Sequence, residues 1–327
     1  HEVVRKANDR GIVVWLVPAY LGYAGGDEGW FREIKASGPE KLRAYGRFVA
    51  ERFADLPNIV WVMGGDFTPE PADQWTAAEL AEAIRRIDSV HPITGHGSSS
   101  SSAVSAFGER PWLAINAVYT YEPTLFKRML AEYGRHPVRP CILFESRYED
   151  EHDSRPEQIR RQAYWAMLSG ACGQFFGNNP IWHLDGPGIT EPKTTWQQAL
   201  DSVGSQDMVR LRKLFVALPW QRLAPEQGHA IVTDGYDDVV ATALTAQTDD
   251  RKLSVTYIPS TGTESRALTV DLTQFAGTVI AQWYNPTNGC STVIGGPLLA
   301  DHNAHVFRTP GNNETDTNDW LLILQAM

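Results

Sequence analysis

The sequence predicts an α/β protein: a (β/α)8 TIM barrel lacking its first two βα units over residues 1–218, followed by an antiparallel β-sandwich over residues 219–327. Three observations predict it. Short apolar runs alternate with helical segments from Gly11 to Leu218. The runs end in carboxylates, His, Tyr and Asn, and no glycine-rich phosphate loop follows any of them, which favours a barrel's catalytic face over a doubly wound sheet. After residue 219 helices of useful length give way to strands joined by Gly, Pro, Asn and Asp turns.

The chain opens on an amphipathic helix (Val3, Val4, Ala7) that ends at Gly11, with neither an initiator Met nor a signal peptide. The reading is a chain cut at its start, with structure upstream. The apolar runs follow: "IVVWLVPAY" (12–20), "NIVWVMGGD" (58–66), "PITGHGS" (92–98), "LAINAVYTY" (113–121), "CILFESRYE" (141–149) and "GACGQFFGN" (170–178). Continuous apolar character suits strands buried on both faces of a parallel sheet. Six runs against eight barrel strands make these the third to the eighth. Between them, Thr76 and Glu79 predict a capping box, Ser154, Pro156 and Glu157 a helix start, and Thr124 a cap before "LFKRMLAEY". Pro219 is the expected boundary. Beyond it "HAIVTDGYDDVVATALT", "KLSVTYIPSTG", "RALTVDL", "TVIAQWYNPTNG", "AHVFRTPG" and "DWLLILQ" read as sandwich strands, with "YNPTNG" a strong turn.

Composition bounds the function. A chain of 327 residues, 43% hydrophobic with 11 Trp, is globular and long enough for about two domains. A formal net charge of -10 without a basic stripe argues against nucleic acid or an anionic membrane surface as partner. No apolar run approaches the roughly 20 residues of a membrane span. Cys141, Cys172 and Cys290 form no CxxC pair and no disulfide framework. Oligomeric state is not readable.

Two acids stand at strand ends, Asp66 and Glu145. On the fourth and seventh strands they would face each other across a barrel mouth. Glycoside hydrolysis needs such a pair: one acid protonates the leaving oxygen, while the other attacks the anomeric carbon or activates water. Their separation would decide between retention and inversion. An Asp alone in this place caps a helix, and a Glu beside Arg147 alone forms an ion pair. It is the pairing that favours catalysis. Glu70 is a reserve acid, whereas Glu149 and Asp150 read as solvated loop residues. A carboxylate mechanism needs no cofactor and no metal. His96 in "GHGSSSSS" could ligate a metal, but no second His or carboxylate stands at useful spacing. The serines read as a flexible loop, since no Gly-x-Ser-x-Gly elbow is present.

Aromatic residues gather at the same strand ends: Tyr20, Tyr23, Tyr119, Tyr121, Tyr148 and Trp182. Sugar C–H faces stack on such rings, and sugar hydroxyls need groups such as Asn178, Asn179, His96 and His183. Trp15, Trp61 and Trp165 are expected in the core. Many barrel glycosidases carry Asn-Glu at the fourth strand's end. Gly65 offers no such amide, so either the substrate is bulky there or another side chain such as His96 reaches in.

The segments "NIVWVMGGD", "FESRYED", "RRQAYWAMLSGACGQFFGNNPIW" and "VDL…AQWYNPTNG…DWLLIL" resemble the apiosidase-like glycoside hydrolases, related to glycoside hydrolase family 140. The resemblance covers nearly the whole chain. It implies a (β/α)8 catalytic domain followed by a small β-sandwich once labelled collagen-binding. It implies Asp66 as acid/base and Glu145 as nucleophile in a retaining double displacement. Tyr20, His96, Tyr119, Tyr121, Arg147, Tyr148, Asn178 and Trp182 are the expected substrate-binding residues. It also implies action on plant cell-wall glycans, apiose-containing pectin side chains being the best-known case, and a secreted or periplasmic location. "YTYEPT" and "FESRYED" depart from the apiosidases proper. The competing reading is a carbohydrate-binding or adhesion protein on a barrel that has lost catalysis. The sandwich is expected to buttress the barrel, and its residues give the collagen label no support.

Overall fold

The computed structural model describes residues 1–184, 186, 190–237, 239–313 and 315–327. It comprises two compact units, one of His1–Glu122 with Gly134–Phe144, the other of Pro123–Tyr133 with Glu145–Met327.

The first unit opens with α1 (Glu2–Asn8), which buries Val4 and turns at Gly11 with φ 69°. Strands β1 (Val14–Leu16), β2 (Ile59–Gly64) and β3 (Ile93–His96) form a parallel sheet in that order. Every residue of β2 is buried, as its unbroken apolar run requires. A second sheet of β4 (Ser101–Ser102), β5 (Asn116–Tyr119) and β6 (Cys141–Glu145) follows, and a parallel bridge from Ile93 to Leu113 links the two. The helical connections are α2 (Phe31–Phe53), interrupted at Gly38 with φ 81°, then α3 (Trp75–Ile87) and α4 (Ala103–Phe107). Arg43 pairs with Glu79 at 2.9 Å across α2 and α3.

Local expectations are corrected here. Thr76 lies inside α3, whose N-cap is Gln74, and its hydroxyl donates to the Asp73 carbonyl. Glu79 is drawn instead to Arg43. The serine run is not a loop throughout: Ser101 and Ser102 form β4, and the Ser102 side chain caps α4 in a capping box with Ser105. Trp61 is fully buried, and its indole donates to Asp88 Oδ2 at 2.8 Å. Trp15 is only half-buried, packed on Phe144 at 5.6 Å.

The second unit contains α5 (Leu125–Tyr133), which begins after Thr124, and α6 (Pro156–Leu168), capped at Arg155 rather than at Ser154. Short helices α7 (Asn179–His183) and α8 (Trp196–Ala199) lead to α9 (Val203–Ala217). The expected strand over 170–178 is reduced to bridges, one of them joining Asn178 to Glu149 in parallel. Gly170, Gly173 and Gly177 interrupt that run, and glycine weakens a strand interior. Trp165 is fully buried, as expected.

The rest of the unit is antiparallel. One sheet contains β7 (Leu223–Glu226), β9 (Leu244–Thr248), β10 (Leu253–Ile258), β15 (Trp320–Ala326), β12 (Val279–Tyr284) and β13 (Ser291–Val293) in that spatial order. The other contains β8 (Val232–Asp234), β11 (Ala267–Asp271) and β14 (Ala304–Arg308). Leu268, Val270, Phe307, Val279, Leu322 and Leu324 fill one apolar core drawn from both sheets, the pattern of a sandwich. Helix α6 is tied to this region. The fully buried Arg160 donates to both oxygens of Asp319, to Asp207 Oδ2 in α9 and to Thr317. Tyr164 stacks on Tyr257 with centroids 4.9 Å apart.

Candidate active site

In the first unit the site is built on the turn that leaves β2. Gly64, Gly65 and Asp66 have φ of 90°, 117° and 51°, three consecutive left-handed residues. The two glycines are required by space as well as by backbone. A Cβ at Gly64 would lie 2.4 Å from the His96 carbonyl oxygen, and one at Gly65 would lie 2.2 Å from the Tyr20 ring. The turn is tied down from both sides: Gly65 N–H donates to His96 O at 2.7 Å and Leu21 N–H to Gly64 O at 3.2 Å. The Tyr20 hydroxyl donates to Asp66 Oδ2 at 3.0 Å.

Tyr20 therefore fills the space beside Gly65: of the two alternatives, a side chain does reach in, and it is Tyr20 rather than His96. His96 lies instead between Tyr119, at 5.1 Å, and Phe144, at 4.9 Å. Tyr121 meets Tyr119 edge-on at 5.4 Å. A ring nitrogen of His96 and a carboxylate oxygen of Asp66 come within 4.8 Å of each other. The sequence spacing of 30 residues gave no hint of this pairing. It arises because β2 and β3 are in register at Gly64 and His96. Tyr23 is largely exposed on the loop that follows Tyr20. A groove of about 390 Å³ runs along α2, lined by Pro18, Ala19, Trp30, Ile34, Leu42 and Tyr45, and includes neither Asp66 nor Tyr20.

In the second unit Glu145, the last residue of β6, is half-buried and accepts the Tyr148 hydroxyl on Oε1 at 3.1 Å. The following loop is pinned. The Arg147 carbonyl accepts from Gln162 of α6 at 2.7 Å. Glu149, expected in solvent, is buried, and this overturns the expectation. It accepts from Gly204 N–H at 2.8 Å, from Ser202 Oγ at 2.6 Å and from Asn178 Nδ2 at 3.0 Å. A carboxylate at the N-terminus of α9 satisfies donors the helix leaves open and lies at the positive end of its dipole.

Asn178 is correspondingly engaged: its side-chain oxygen also accepts from Ile181 N–H to cap α7. Trp182 is half-exposed, its indole donating to Glu151 Oε1 at 3.2 Å and its ring lying against His183 at 3.5 Å. Each unit thus presents one strand-end carboxylate holding a tyrosine hydroxyl. A carboxyl so placed has the donor and acceptor capacity for proton transfer or nucleophilic attack.

The chain matches two family descriptions. Residues 1–222 match "Apiosidase-like, catalytic domain", and residues 227–325 match "Putative collagen-binding domain of a collagenase". No curated protein matches. Among solved structures, a glycoside hydrolase family 5 protein from Bacteroides vulgatus superposes with a TM-score of 0.84 at 25% identity, over 99% of this chain and 73% of the other. A second, described as a glycoside hydrolase, gives a TM-score of 0.83 at 23% identity over 99% and 75%. The catalytic match spans well over half of the sequence: the chain belongs to the apiosidase-like family and is a glycosidase.

Proposed function

We propose that this chain hydrolyses plant cell-wall glycans of the pectin type by a retaining, two-carboxylate mechanism on a (β/α)8 barrel. β1, β2, β3, β5, β6 and the bridged 170–178 run serve as its third to eighth strands. Asp66 serves as acid/base and Glu145 as nucleophile. The observation that carries the reading is the common construction of the two: Glu145 ends β6, Asp66 follows β2 by two residues, and each accepts a tyrosine hydroxyl, Asp66 from Tyr20 and Glu145 from Tyr148.

In the first step Glu145 attacks the anomeric carbon while Asp66 protonates the departing oxygen. A glycosyl ester on Glu145 forms, and the C–O bond to the aglycone breaks. In the second step Asp66, now ionised, takes a proton from water, and the water oxygen displaces Glu145. The net configuration is retained. His96, Tyr119, Tyr121, Arg147 and Trp182 contribute to sugar binding, whereas the buried Asn178 amide is committed to Glu149, Ser202 and Ile181. The family described as apiosidase-like supports a branched pectic side chain as the substrate.

A panel of aryl glycosides and pectic oligosaccharides tests the reading through release of reducing sugar. Proton NMR of the first-formed anomer tests retention. Turnover with the configuration kept is expected. Sugar binding without turnover would mark a lectin-like protein, and an inverted product would assign Glu145 to base catalysis.

A further inference from the structure

We propose that Tyr20 and Tyr148 are positioning residues seated on glycines, each fixing one carboxylate of the pair through its phenolic hydroxyl. This rests on the assignment of Asp66 and Glu145 given above.

The two tyrosines share one construction reached by different routes. Tyr20 follows β1 and bonds Asp66 after β2, at 3.0 Å. Its ring lies where the side chain of residue 65 would be, since a Cβ there would come within 2.2 Å of Tyr20 Cδ2. Tyr148 bonds Glu145 at 3.1 Å, and its ring lies where the side chain of residue 177 would be, 2.3 Å from such a Cβ. The backbones are held as well. Trp30 N–H donates to Tyr20 O at 2.8 Å, and Glu149 N–H, next to Tyr148, donates to Gly177 O at 2.9 Å. A ring packed this closely against a glycine has little room to swing, which restricts where its hydroxyl points. Each bond commits one carboxylate oxygen to the tyrosine.

The chemical consequence has a sign. A hydroxyl that donates to a carboxylate favours the ionised form. At Glu145 the bond fixes the orientation of the attacking group, and at Asp66 it holds the carboxyl in one orientation through both steps. His96 also faces Asp66, within 4.8 Å, and it is unchanged in every comparison below.

The test is a carboxyl ¹³C NMR titration of protein labelled at Asp and Glu. Resonances are assigned with Asp66→Asn and Glu145→Gln. Tyr20→Phe keeps the ring on Gly65 and removes the donor. It is expected to raise the Asp66 midpoint by about half a unit or more, and by more than it moves Glu145. Tyr148→Phe should do the reverse. A variant that leaves its own carboxylate within about 0.2 unit of wild type, or moves both alike, overturns the proposal. If a Phe variant fails to fold, wild-type protein grown on 3-fluorotyrosine replaces it. Its stronger phenolic donors should lower both midpoints, and unchanged midpoints overturn the proposal. Undiminished hydrolysis by Asp66→Asn would sink the catalytic assignment while leaving the NMR result on the tyrosines intact.

Discussion

Arg160 and Asp319 stand 159 residues apart in sequence and form a two-pronged ion pair, Nε to Oδ2 and Nη2 to Oδ1 both at 2.8 Å. Burial alone would depress the guanidinium, but the Asp319 carboxylate holds it above its ordinary value. Asp207 completes the cluster at 3.0 Å, its own carboxyl raised by burial against the opposing pull of Arg160. One arginine of the catalytic match thus binds an acid of the C-terminal match, which makes the sandwich part of the fold that carries Glu145.

Arg160→Ala strands Asp319 and Asp207 without their cation. Breaking a buried pair from one side costs about 3–5 kcal/mol. Urea unfolding followed by tryptophan fluorescence should show a loss of that size. A change under about 1 kcal/mol would show the cluster to be solvated in solution.

Under the proposed mechanism, Asp66→Asn and Glu145→Gln each remove one proton-transfer or nucleophilic role and keep the shape. Turnover of aryl glycosides should fall by about three orders of magnitude or more in each, with Tm little changed. Near-normal hydrolysis by either variant refutes its assignment.

The proximity of His96 to Asp66 makes chelation informative. Two carboxylates acting by proton transfer and attack require no ion. Dialysis against EDTA is therefore expected to leave hydrolysis unchanged, and inactivation restored by a divalent cation would replace the mechanism.

Gly65→Ala sets a Cβ 2.2 Å from the Tyr20 ring at a φ of 117°. Overpacking and backbone strain together should cost about 2–4 kcal/mol. Adding Tyr20→Ala relieves the clash but not the φ, so thermal stability should recover only in part. Full stability of the single variant would mean that the turn relaxes freely.

Asp88 is buried, which raises its carboxyl, yet the bonds from the Trp61 indole and from His91 outweigh that and hold it below the ordinary 3.8. A lowered folded value contributes stability that is complete above the unfolded value and lost as pH falls beneath it. Asp88→Asn should therefore be less stable than wild type at neutral pH, by about 1–3 kcal/mol. The gap should narrow below about pH 4. Thermal melts at pH 7 and pH 3 compare the two directly, and a gap that stays constant would rule out this linkage.

Much of the architecture was legible because its signals are local. Unbroken apolar runs announced β2 and β6, and turn residues announced the sandwich strands. The 170–178 run misled because its apolar residues hide three glycines, and Thr76 misled because a capping pattern recurs inside a helix. Glu149 was unreadable for another reason. Its partners Ser202 and Gly204 lie more than 50 residues on, and only the return of α9 brings their donors to it.

By itself the sequence determined the strand-end acids Asp66 and Glu145, the alternation that carries them, and the change to antiparallel strands beyond residue 219. These follow from periodicity and turn chemistry, which act over a few neighbours. Only the tertiary structure decided that Tyr20 occupies the space at Gly65, that Tyr148 lies on Gly177, and that Arg160 reaches Asp319. Such contacts depend on where distant segments return. Steric exclusion and the need to satisfy a buried charge fix them, and neither is encoded in any short stretch of chain.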